Sequence, residues 1–144
     1  MAPSDLTRVR RFYERGIYFI THNKLPDACV NLKDALQLMP AFLPARTHLA
    51  LALSKQKKYL EAIRLLEDAR VNLPLRNDQL LALLEQLANL CLQRQDWPAA
   101  IYYINSALKI TPDDPSLQNL LATAHAKSHN FDEAFDIYLS LKDL

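Results

Sequence analysis

In NDQLLALLEQLANLCLQRQ, residues 77–95, leucines fall at 80, 84 and 87 and in a second row at 83, 87 and 90. Spacings of three and four collect side chains on one face of an α-helix instead of alternating them across a strand. The pattern breaks at QDWP. There Asp96 is placed to cap a following helix, and Pro98 sits in its first turn, where the missing N–H would have had no helical partner. The next run, PAAIYYINSALKI, stops at TPDDP, because proline pushes the residue before it out of the helical region. A helix, a break, a second helix and a proline stop make one unit.

The same grammar recurs. KLPDACVNLKDALQLMP carries Pro26 where its helix begins, and NFDEAFDIYLSL follows Asn130 with Asp132 and Glu133, charges that suit a helix N-terminus. Ala28, Ala35 and Pro40 are followed 34 residues later by Ala62, Ala69 and Pro74. A shift of 38 then reaches Ala100, Ala107 and Pro112, and a further 34 takes Ala88 to Ala122, Trp97 to Phe131 and Ala100 to Ala134. The chain therefore divides into units at 9–42, 43–76, 81–114 and 115–144, with four extra residues at 77–80, within one domain. Those four are expected to lengthen the third unit's first helix by about one turn, since a turn takes about 3.6 residues. A single glycine, few valines and threonines, and abundant Leu and Ala fit helices throughout.

Helix–turn–helix units at a period of 34 resemble the tetratricopeptide repeat, whose pattern runs Trp-x₂-Leu-Gly-x₂-Tyr, Ala-x₃-Phe, then Pro. The first unit matches with Phe12, Arg15, Gly16, Phe19, Ala28, Leu32 and Pro40, and the second with Arg46, Leu49, Ala50, Leu53, Ala62, Leu66 and Pro74. The third has Leu84, Leu87, Ala88, Cys91, Ala100, Ile104 and Pro112. The fourth keeps Leu121, Ala122, Ala134 and Tyr138 but places Gln118 and His125 at aromatic positions. The resemblance implies an all-α, right-handed α-solenoid of four hairpins. Trp97 then aligns with Leu25, Tyr59 and Phe131 as a packing residue at the start of a second helix. Gly16, Ala50, Ala88 and Ala122 are expected to meet Ala28, Ala62, Ala100 and Ala134 where paired helices cross, because larger side chains would push the helices apart.

In this family the first helices line a concave groove that holds a peptide or a partner helix. The resemblance makes the groove candidates Tyr13, Ile17, Thr47, Leu51, Glu85, Asn89, Asn119 and Thr123. Members that bind acidic chaperone tails use a Lys–Asn–Asn–Lys–Arg set; Tyr13, Ile17 and Thr47 stand at matching positions here, so that activity is not implied. The expected function is a non-catalytic interaction scaffold or adaptor for a protein partner. The alternative is an assembly module that self-associates, or packs in a larger complex, through the leucine-rich third unit and the apolar last helix. Leu80, Leu83, Phe135 and Leu139 are the candidate patch for that role, since solenoids normally end in a polar cap and the chain's last helix is apolar.

Composition trims other classes. Half the 144 residues are hydrophobic, enough for a real core. Seventeen basic and sixteen acidic residues are too balanced to draw a polyanion, so no nucleic-acid partner is expected. Arg8, Arg11 and Arg15 recur on one face of the opening helix, a candidate basic contact weighed against an ordinary solvated face. No run of 18 apolar residues and no apolar signal core appear, so membrane insertion is not expected and the cytoplasm is, unless the chain is a piece of a targeted protein. Cys29 and Cys91 are distant and read as small buried side chains. His125 and His129, four apart, could share a helical face and a metal, but no third ligand accompanies them; no metal, cofactor or catalytic set is expected.

Overall fold

The computed structural model describes residues 3–142; the last two positions of the fourth unit lie outside it. Among the described residues there are eight helices and no strand: α1 Pro3–Thr21, α2 Leu25–Leu38, α3 Leu43–Lys55, α4 Tyr59–Asn72, α5 Asn77–Gln93, α6 Trp97–Ile110, α7 Pro115–Lys127 and α8 Phe131–Lys142. They gather into two compact units, Met1–Leu73 and Pro74–Leu144. In the first, α1 packs on α2, α2 on α3 and α3 on α4; in the second, α5 packs on α6, α6 on α7 and α7 on α8. Each unit is thus two helical hairpins.

Local chemistry sets the helix starts. Prolines lie in the first turn of α2, α3, α6 and α7. Asp96 accepts from the Ala99 N–H at 3.3 Å, and Asp114 from the N–H groups of Ser116 and Leu117 at 2.9 and 3.4 Å. Before α5, the Gln79 side chain reaches back to accept the Arg76 N–H at 3.0 Å. α5 runs 17 residues where α3 and α7 run 13, and the extra turn lies at its start.

The hairpin turns obey one rule. Asn23, Lys57, Gln95 and His129 hold φ of 56°, 61°, 63° and 66°, and they are one position repeated at spacings of 34, 38 and 34. At each turn the next residue's N–H closes on a carbonyl five back, Lys24 on Phe19, Lys58 on Leu53, Asp96 on Cys91 and Asn130 on His125, at 2.8–2.9 Å. This is a left-handed C-terminal cap that usually takes glycine, because a β-carbon costs about 1–2 kcal/mol there. Lys57→Gly and Gln95→Gly are therefore each expected to stabilise the fold by about 0.5–1 kcal/mol, read from urea unfolding midpoints, after allowing for glycine's looser unfolded chain.

The core follows the alanine rows: Ala28, Ala35, Ala62, Ala69, Ala100, Ala107 and Ala122 have no exposed surface. The crossing in the first hairpin sets Gly16 against Leu32 of α2. A β-carbon on Gly16 would lie 2.5 Å from Cγ and Cδ2 of Leu32, so the glycine makes room for the branched head of Leu32, one turn beyond Ala28. Leu83 also needs correcting as a surface residue. It is 1% exposed and continues the buried row Leu83, Leu87, Leu90, at the repeat position that Ala45 and Leu117 also bury. Leu80, one turn earlier, is half-buried.

Two polar residues stand where the repeat elsewhere holds Phe12 and Leu84. Arg46 is 7% exposed, and its guanidinium donates to Asp68 Oδ2 at 2.8 Å, to the Leu65 carbonyl at 3.2 Å and to the Pro40 carbonyl at 2.8 Å. Gln118, in the other unit, donates to the Pro112 carbonyl at 2.9 Å. Pro40 and Pro112 are the same repeat position, so both side chains satisfy the carbonyl at the proline stop.

Candidate partner-binding faces

In the first unit the face formed by α1 and α3 carries an aromatic cluster. Tyr13 stands edge-on to Phe42, with ring centroids 5.3 Å apart, and to His48 at 5.5 Å. His48 Nδ1 lies 2.8 Å from the Pro44 carbonyl, which can only accept, so Nδ1 carries the proton. The Tyr13 oxygen, 3.4 Å from the same nitrogen, then takes a weaker branch of that bond as acceptor. Its own O–H is left to donate elsewhere. Burial pushes the Tyr13 phenol further above its ordinary range, which already lies well above neutral pH.

Ile17 is half-buried, Leu51 is 39% exposed, and Thr47 donates to the Pro44 carbonyl at 3.0 Å. The face therefore offers an apolar strip beside a hydroxyl donor. Tyr13 was legible on the helix face, but Phe42 and His48 were not, since they join it only through the pairing of two helices.

In the second unit Asn89 and Asn119 are exposed and Glu85 is half-buried. Thr123 donates to the Asn119 carbonyl at 3.0 Å and lies 3.2 Å from the Tyr138 hydroxyl, so it helps tie α7 to α8. This face is more polar than its counterpart.

The basic stripe on α1 is exposed and partly paired within its own helix: Arg8 meets Asp5 at 3.7 Å, and neighbouring Arg10 meets Glu14 at 2.8 Å. Exposed pairs of this kind contribute at most about 1 kcal/mol. Arg11 and Arg15 are exposed as well.

The histidine pair does not share a helical face. α7 ends at Lys127, and His129 sits in the left-handed turn with its ring edge-on to Phe131 at 5.6 Å. His125 instead lies 3.3 Å from the Asn130 amide nitrogen, which donates to it. Among the described residues no three His, Cys, Asp or Glu side chains are grouped to hold a metal. Both cysteines are buried, and burial raises the Cys29 thiol above its usual range, partly offset by Lys33 and Lys58.

Elsewhere, a cleft of about 380 Å³ in the first unit is lined by Lys33, Arg46, Glu61, Arg64 and Asp68 over a floor of Leu49 and Leu53. Both signs of charge line it in nearly equal number. No described helix is long and apolar enough to cross a membrane.

A scan against family models and a search of curated proteins each find no match. Solved structures do match. MamA from Desulfovibrio magneticus RS-1 (residues 41 to the end) is similar at TM-score 0.76 and 17% identity, over 94% of this chain and 75% of that one. A second MamA structure gives 0.77 at 18% identity, over 94% and 77%. YrrB, a TPR protein with an unusual peptide-binding site, gives 0.69 at 17% identity, over 92% of this chain and 66% of its own. The chain has the all-α fold of the tetratricopeptide-repeat proteins, as its resemblance to that repeat implies.

Proposed function

We propose that this protein is a non-catalytic interaction scaffold that holds a peptide or helix of a partner protein against its first-helix faces. The observation that carries the reading is the cluster of Tyr13, Phe42 and His48 on α1 and α3, where the Tyr13 proton is not committed to His48 and Leu51 of the same α3 is 39% exposed. Such a surface suits an extended segment: apolar side chains settle on Ile17 and Leu51, and a backbone carbonyl accepts from Tyr13. Asn89 and Asn119 in the second unit can hydrogen-bond the backbone of such a segment. YrrB, similar in fold, has a peptide-binding site, which supports the same class of ligand.

The test is selection of binding peptides from a displayed library, followed by calorimetry on the best one. Leu51→Glu is expected to weaken binding about tenfold or more, roughly 1.4 kcal/mol, without lowering the unfolding temperature, since the side chain is exposed. Peptides that bind Leu51→Glu and Tyr13→Phe as tightly as the original chain would place the ligand on another surface.

A further inference from the structure

The fold builds one kind of cleft twice. In the first unit α2, α3 and α4 border about 380 Å³ over Leu49, Leu53 and Leu65. In the second unit α6, α7 and α8 border about 280 Å³ at the same repeat positions, where Leu121 answers to Leu49 and Ile137 to Leu65. The shape therefore comes with the repeat, and the charges do not. Arg46, Arg64 and Asp68 line the first cleft where Gln118, Asp136 and Ser140 line the second. Lys33 and Glu61 complete the first, so three cations and two anions surround an apolar floor with a surplus of one positive charge.

Arg46 is the residue the repeat least calls for. Phe12 and Leu84 fill its position in two other hairpins, and a buried charge seldom stabilises a fold more than an apolar side chain of similar size. Gln118 satisfies the carbonyl at its proline stop with a single amide, so that duty does not need a guanidinium. Three acceptors take three of the five guanidinium N–H groups of Arg46. Among the described residues its buried Nε has no acceptor. Asp68 offsets the charge of Arg46, while among the described residues Lys33, Arg64 and Glu61 enter no ion pair.

The charge count selects the ligand. One carboxylate cancels the surplus, whereas a dianion would bring a second negative charge toward Glu61 and Asp68, and a zwitterion would leave the surplus in place. The leucine floor favours a hydrocarbon body. We propose that the first cleft binds an aliphatic monocarboxylate, its carboxylate held among Lys33, Arg46 and Arg64 and its hydrocarbon end on Leu49, Leu53 and Leu65. Such a group is offered by a small free acid and by the aliphatic last residue of a chain. The site lies apart from the Tyr13 cluster and does not depend on what that face binds.

Titration of the isotope-labelled full chain, followed by NMR at low salt, uses isocaproate as the free acid, N-acetyl-leucine as the chain end and N-acetyl-leucinamide as the uncharged control. The acids are expected to bind with a dissociation constant of about 1 mM, fitting ligands of so few atoms, and to shift amides of α3 and α4 but not those of α7 and α8. The tighter of the two acids identifies the source. Arg64→Asp copies Asp136 and alters an exposed side chain, so it should weaken binding about fivefold or more with the melting temperature unchanged. Arg46→Gln, which copies Gln118, should weaken it at least as much. Glu61→Gln should admit glutarate, a dianion that the original chain rejects. Absence of any shift up to about 50 mM acid overturns the proposal. So does equal binding of the uncharged amide, an equal response in the second cleft, or acid binding indifferent to Arg64→Asp.

Discussion

Gly16→Leu is expected to lower the unfolding free energy by about 3 kcal/mol or more, and even Gly16→Ala to lower it by about 1 kcal/mol. The alanine case is the sharper, because two effects oppose. Alanine is favoured over glycine in a helix interior by about 1 kcal/mol. Against that, its β-carbon would lie 2.5 Å from two carbons of Leu32, a side chain with no exposed surface and so no open space to rotate into. Overpacking of this kind costs about 1–3 kcal/mol, so the clash outweighs the propensity gain. Urea unfolding followed by circular dichroism checks it. Stabilisation by Gly16→Ala would mean that α1 lifts from α2 at little cost, as the alanines at the same position in the other hairpins suggest is geometrically open to it.

Arg46→Ala is expected to cost about 2–4 kcal/mol, while Arg46→Leu costs about 1 kcal/mol or less. The truncation removes three hydrogen bonds and leaves a void at the edge of the Leu49–Leu53 floor. Asp68 is not stranded by it, since its side chain is 57% exposed and regains water. Leucine fills the space and has a precedent in Leu84 at the same repeat position, as Phe12 has in the first hairpin. If the two variants unfold at the same urea concentration, the hydrogen bonds outweigh the packing.

Periodicity made the hairpins legible because the alanine and proline rows answer to backbone geometry, which is the same in each copy. What it could not reach depends on neighbours across helices. Nothing local tells that Arg46 and Gln118, polar residues at an apolar site, would settle on the carbonyls of Pro40 and Pro112. Nor does Tyr13 announce Phe42 and His48. Leu83 is hidden for a different reason: the third unit holds more leucine than one buried stripe needs, and only alignment with Ala45 and Leu117 puts it on the row that the fold buries. The left-handed turns left little mark, since only Asn23 and His129 are of types that favour that region, while Lys57 and Gln95 are not and are held there by the closing hydrogen bonds.

Those four turns also decide where this architecture can change length. Each counts residues, because its closing bond spans a fixed number of peptide units, and one residue more would unseat it and rotate the second helix away from its partner. The connectors that follow each proline stop have no such ruler. It is there, at 77–80, that four residues have entered, and they have been taken up as one turn of α5. Variation among proteins of this build should then collect between hairpins and spare their interiors, making the connector at 74–76 the natural splice point for a tag or a transplanted hairpin.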